Sequence, residues 1–136
     1  MAEEKIKRIL YLDHNFYMRE RYENKEYKEV IGDIEIYGAC NVEKAKEIFR
    51  EFYPFDLIGI HLSTSCAFFF ATYVRERYRE IPIIVLSGVA SYAKKTLDDI
   101  EFPYDQILNI PFEPPEDTAK SLVNILHNIN RKQEMI

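Results

Sequence analysis

The stretch Ile81-Pro82-Ile83-Ile84-Val85-Leu86-Ser87-Gly88 is the most β-branched in the chain, and its reading decides the fold class. From Ile83 to Leu86 every position is apolar, with no alternation. β-Branched residues favour extended backbone, and a short strand without polar alternates is buried on both faces. Strands of that kind belong to parallel sheets covered by helices. Three further runs share the character: Arg8-Ile9-Leu10-Tyr11-Leu12-Asp13, Asp56-Leu57-Ile58-Gly59-Ile60-His61, and Gln106-Ile107-Leu108-Asn109-Ile110 ahead of Pro111. A fifth run, Ile34-Glu35-Ile36-Tyr37, alternates, which predicts one wetter face near a sheet edge.

Helical patterns fill the intervals. One is expected over Phe16 to about Glu29. Asn41 can cap a second, running to about Phe52 with Val42, Ala45, Ile48 and Phe49 on one face. A third spans about Ser65 to Arg79 and carries Phe68, Phe69 and Phe70. A fourth covers Ser91 to about Ile100. The fifth opens at Pro114-Pro115-Glu116-Asp117 and ends near Arg131 and Lys132. Strand and helix thus alternate through the chain. Right-handed crossovers turn that order into an α/β, flavodoxin-like (βα)5 three-layer sandwich with parallel strand order 2-1-3-4-5. The expected organisation is one domain over residues 1–136, with its core at about 6–132 and no output domain after Lys132.

Composition narrows the function classes. The 136 residues are 47% hydrophobic and 30% charged, the balance of a soluble globular domain. The net charge of −5 argues against nucleic acid as a partner, because phosphate recognition needs clustered Lys and Arg. No apolar run is long enough for a membrane span, and Met1 to Arg8 lacks the apolar segment of a secretory signal. Cys40 and Cys66 make no disulfide framework. These points together predict a cytoplasmic protein. No glycine-rich phosphate loop, nucleophile elbow or Cys-x-x-Cys occurs, which argues against flavin or nucleotide binding.

In open α/β sheets, ligands meet the carboxyl ends of the strands. Those ends read Asp13-His14-Asn15, His61-Leu62-Ser63, Ser87-Gly88 and Asn109-Ile110-Pro111-Phe112. With Pro54-Phe55-Asp56-Leu57-Ile58 before the third and Pro82 to Gly88 at the fourth, the chain resembles the receiver domain of two-component response regulators. The resemblance runs over nearly the whole length. It implies an acidic pair for Mg²⁺ after the first strand, an acceptor aspartate after the third, a switch hydroxyl after the fourth and a Lys-Pro-Phe after the fifth.

This sequence departs from the pattern at several positions. Asp13 stands at the first acid, but His14 replaces the second, and imidazole is a poor magnesium ligand. His61 replaces the acceptor aspartate, so no acyl phosphate can form there. Ile110 replaces the lysine, leaving Pro111 behind it. Ile107 occupies the aromatic switch position, and Ser87 keeps the hydroxyl. Positioning and charge neutralisation act together in phosphoryl transfer, so such losses are not made good singly.

The resemblance and its departures together imply a phosphorylation-independent interaction module, not an enzyme. Its expected partner is a signalling protein, a histidine kinase or an output protein. A homodimer through the fourth helix, fifth strand and fifth helix is also implied. No cofactor is expected, and Mg²⁺ binding should be weak or absent. Two other readings use the same pocket. Asp13, His14 and His61, with Cys66 nearby, could hold zinc or sense protons; alternatively, a phosphorelay role would use altered acceptor chemistry at His61. The plainer reading has an imidazole hydrogen-bonded to Asp13 and filling an emptied pocket. Of the three consecutive phenylalanines, at least one must leave the core, since successive helical residues diverge by about 100°.

Overall fold

The computed structural model describes residues 6–13, 27–62, 67–88, 90–109 and 115–134. The described strands are β1 (Lys7–Leu12), β2 (Tyr27–Ile31), β3 (Ile34–Ala39), β4 (Leu57–His61), β5 (Ile83–Ser87) and β6 (Gln106–Asn109). The described helices are α1 (Val42–Phe52), α2 (Ala67–Arg77), α3 (Ala90–Asp99) and α4 (Pro115–Glu134). They build one mixed sheet in the order β2-β3-β1-β4-β5-β6. Five of its strands are parallel neighbours, β3-β1-β4-β5-β6. That is the expected order 2-1-3-4-5, with one strand added at its edge.

The added strand corrects two expectations. The sequence pattern puts Tyr27 to Glu29 at the end of the first helix, yet they lie in β2, antiparallel to β3. The rest of that helix, residues 16–26, lies outside the described residues. A two-residue turn, Gly32-Asp33, joins Ile31 to its partner Ile34. Gly32 has φ +62°, which suits a glycine at the first central position of a primed hairpin turn. The hairpin also moves β3 off the edge. Tyr37 is therefore buried beside Ile36, and the wetter face expected along this run is reduced to half-buried Glu35.

Each face of the sheet has its own core. On one, Leu10, Leu12, Ile58, Ile60 and Val85 meet α1, α2 and Leu97 of α3. On the other, Ile9, Tyr11, Leu57, Ile84 and Leu86 meet α4 through Ala119, Leu122 and Leu126. The split follows the pleat, because alternate residues of one strand face opposite sides. Helix α1 forms as its sequence dictates. The Asn41 side chain accepts a 2.8 Å hydrogen bond from the backbone N–H of Lys44, and the buried stripe is Val42, Ala45, Ile48 and Phe49. In α2, Phe70 is fully buried, Phe69 is 63% exposed, and the ring of half-buried Phe68 lies 6.0 Å from that of Phe102.

At Gly59 the Leu122 side chain of α4 packs directly over the β4 backbone. A Cβ at this position would lie 2.8 Å from Leu122 Cδ1 and 3.1 Å from its Cδ2. Leu122 is fully buried and has little room to retreat. Gly59→Ala should therefore lose about 1–3 kcal/mol in urea denaturation, through overpacking. Trimming the opposing side chain in Gly59→Ala/Leu122→Val should recover part of that loss. An unchanged midpoint in Gly59→Ala would show that α4 can shift outward freely.

Candidate functional site

The carboxyl ends of four neighbouring strands present a row of polar side chains. Asp13 directly follows β1, while His61, Ser87 and Asn109 end β4, β5 and β6. Strand register sets the row. Leu12 pairs with Ile60, so Asp13 lies one step beyond that pair, level with His61. His61 pairs with Leu86, and Ser87 pairs with Asn109. A 2.9 Å bond from the Leu62 N–H to the Leu86 carbonyl continues the ladder past His61. Another 2.9 Å bond, from the Asp13 N–H to the Ala39 carbonyl, ties Asp13 to the end of β3.

Burial differs along the row. Asp13 is 5% exposed, His61 and Ser87 are half-buried, and Asn109 is exposed. The Asp13 carboxylate accepts a hydrogen bond from the Tyr11 hydroxyl at Oδ2. Tyr11 is itself 1% exposed in the core beneath α4. Residues two apart on a strand share a face, so the phenol rises beside the carboxylate from the same side of the sheet. A buried carboxylate needs such a donor, because leaving it unpaired costs several kcal/mol.

The structure thus gathers Asp13, His61 and Ser87 of the expected residues. His14, Ile110, Pro111 and Cys66 lie outside the described residues. Cys40 is half-buried. Asn109 and Tyr11 join the site without having been singled out as candidates. Tyr11 was detectable in principle, since a hydroxyl two positions before a strand-end acid is placed to reach it. Among the described residues, one carboxylate, one imidazole, one hydroxyl and one carboxamide stand at the row. That set holds a single carboxylate, and among the described residues no cluster of three or more His, Cys, Asp or Glu is gathered for a metal.

Charge pairs are also seen away from the strand ends. Arg8 donates to Glu35 at 2.8 Å and to the Phe52 carbonyl at 3.0 Å, and the Glu35 bond raises its pKa. On the surface, Asp98 accepts from Lys94 at 2.7 Å and from Tyr104 at 2.8 Å. The Lys94 bond, then the Tyr104 bond, holds the Asp98 carboxyl below its ordinary value.

No protein-family model and no curated protein matches the sequence. Solved structures do match it. The chain is similar to the non-phosphorylated HemR receiver domain of Leptospira biflexa, with 19% identity, 88% of this chain and 94% of that one covered, and a TM-score of 0.58. A response regulator receiver domain of Clostridium thermocellum gives 17% identity, 96% and 99% coverage, and a TM-score of 0.60. The response regulator TrrA of Thermotoga maritima, solved with Mg²⁺ and BeF, gives 23% identity, 88% and 98% coverage, and a TM-score of 0.57. The fold is therefore that of a receiver domain. No described helix is long and apolar enough to cross a membrane.

Proposed function

We propose that the chain is a degenerate receiver domain that signals by binding a partner protein, independently of phosphorylation. One observation carries the reading: β4 ends in the imidazole of His61, at the place where the resemblance puts the acceptor carboxylate. An imidazole cannot form the acyl phosphate on which receiver switching depends. The neighbouring row adds support, since the Asp13 carboxylate is buried and already engaged by the Tyr11 hydroxyl. The sequence replacements at His14 and Ile110 remove the second acid and the cation that would act with it. In this reading the domain catalyses no phosphoryl transfer and needs no Mg²⁺. Its partner is a histidine kinase or an output protein, and a homodimer would use the face of α3, β6 and α4.

The test is direct. Purified protein is incubated with acetyl phosphate and Mg²⁺, and its intact mass is measured at low temperature. The expected spectrum shows the unmodified chain. A stoichiometric phosphoryl adduct, lost on mild alkaline treatment, would overturn the proposal.

A further inference from the structure

The amino-terminal ends of β4, β5 and β6 form the pole of the sheet opposite the row at Asp13, His61 and Ser87. Two acids are fixed there in the same way. Asp56 stands one residue before β4; its N–H donates to the Arg8 carbonyl at 2.8 Å, and its Oδ2 accepts the Arg8 N–H at 2.9 Å. Asp105 stands one residue before β6; its N–H donates to the Ile83 carbonyl at 2.8 Å, and its Oδ2 accepts the Ile83 N–H at 2.7 Å. Each carboxylate is thus clamped to the neighbouring strand through one oxygen. Among the described residues, no group donates to the other oxygen of either.

Both acids border an open cavity of about 570 Å³. Sites for small molecules run from about 300 to 1,000 Å³. Ile81, Leu126 and Ile129 supply an apolar wall, and Tyr53 and Tyr78 an aromatic one. The two tyrosine rings lie 4.6 Å apart, and each is held by Phe49, at 6.0 Å and 5.4 Å respectively. The described charged side chains at the cavity are Asp56, Glu80, Asp105, Arg75 and Arg79. Arg75 is occupied within the rim, since it donates to Asp105 at 2.6 Å and to the Arg79 carbonyl at 2.9 Å. Among the described residues, Asp56 accepts only an uncharged backbone N–H and Glu80 has no cationic partner. Arg79 alone opposes these two acids, so the described rim is negative.

We infer that this cavity binds a small organic cation, an amine carried on an aromatic body, with the ammonium at Asp56 and Glu80 and the ring against Tyr53 and Tyr78. Aromatic rings pair with one another beyond simple burial, and their electron-rich faces attract a cation. The whole molecule favours the same sign of ligand, because its net charge of −5 draws cations and repels anions. The acids and rings are already held in place, so little ordering is lost on binding. The cavity lies at the pole away from Asp13, His61 and Ser87, so the site stands whether or not the strand-end row accepts a phosphoryl group.

Tryptamine, tryptophol and indole-3-acetate share one indole body and differ in charge, which makes them the probes. Each is titrated into the ¹⁵N-labelled full chain and followed by amide chemical shifts. Shifts should concentrate on residues 53–56, 78–82 and 105–106. Tryptamine should bind at least about threefold more tightly than tryptophol, the scale of partly exposed charge pairs, and indole-3-acetate more weakly than tryptophol. Glu80→Gln should weaken tryptamine about two- to threefold and leave tryptophol unchanged, while Arg79→Gln should tighten tryptamine by a similar factor. Both positions are exposed, so neither change threatens folding. The inference is overturned if tryptamine gives no saturable shifts at millimolar concentration, or if the three probes bind equally. Shifts gathered at the carboxyl ends of the strands would overturn it too, as would tryptamine affinities unchanged in both variants.

Discussion

Replacing Phe49 with alanine should cost about 3–5 kcal/mol, the range for deleting a buried phenyl ring. The ring is 2% exposed and stands at the centre of the aromatic cluster. It stacks on Phe55 at 5.6 Å, meets Phe70 edge-on at 6.4 Å, and lies 5.4 Å from Tyr78 and 6.0 Å from each of Tyr53 and Tyr73. Each aromatic contact adds about 0.5–1.5 kcal/mol beyond area burial, so the upper part of the range applies. Domains hold only about 5–15 kcal/mol in total, so the variant should be close to unfolding at ordinary temperature. Urea denaturation followed by far-UV circular dichroism measures the change. Phe49→Leu, which keeps most of the volume, should lose clearly less. A loss below about 1 kcal/mol for Phe49→Ala, the size of an average substitution, would mean that the cluster collapses around the gap.

Rebuilding the phosphoryl pocket should have an all-or-none effect. The variant His14→Asp/His61→Asp/Ile110→Lys supplies the second acid, the acceptor and the cation together. Asp13, the Ser87 hydroxyl and the strand framework are already in place. Acetyl phosphate with Mg²⁺ should then add one phosphoryl group to the intact mass, where the parent shows none. His61→Asp alone should stay unmodified, since an acceptor without its metal acid and cation lacks charge neutralisation in the transition state. An unmodified triple variant would place the defect in the backbone around the strand ends. Modification of His61→Asp alone would show that the metal acid and the lysine are dispensable here.

Much of the fold was legible because burial on both faces leaves a strong mark. Ile83 to Leu86 and Leu57 to Ile60 carry no polar alternates, and both are inner parallel strands. The Asn41 cap and the stripe from Val42 to Phe49 marked α1 to within a residue. Tyr27 to Glu29 were misassigned because Tyr-Lys-Glu suits a helix as well as an edge strand, where packing does not enforce alternation. The turn at Gly32-Asp33 was the signal that would have found the hairpin. At the site, Asp13, His61 and Ser87 were legible from their positions at strand ends. Tyr11 carries a weaker signal: its spacing from Asp13 is visible in the sequence, but its burial depends on a helix more than a hundred residues on. The contact of Lys46 with the Tyr73 ring was hidden because the two meet only once α1 and α2 pack together.

The hairpin at the sheet edge has a consequence in time. Parallel pairing between β1 and β3 joins segments separated by a long connection, and such closures are slow because chain entropy is lost before contacts form. β2 and β3 are joined by two residues, and a hairpin of that kind forms in about 1–10 μs. The chain can therefore present β3 already paired on one side when β1 arrives. In a sheet otherwise assembled from distant partners, this edge supplies a template that is ready early.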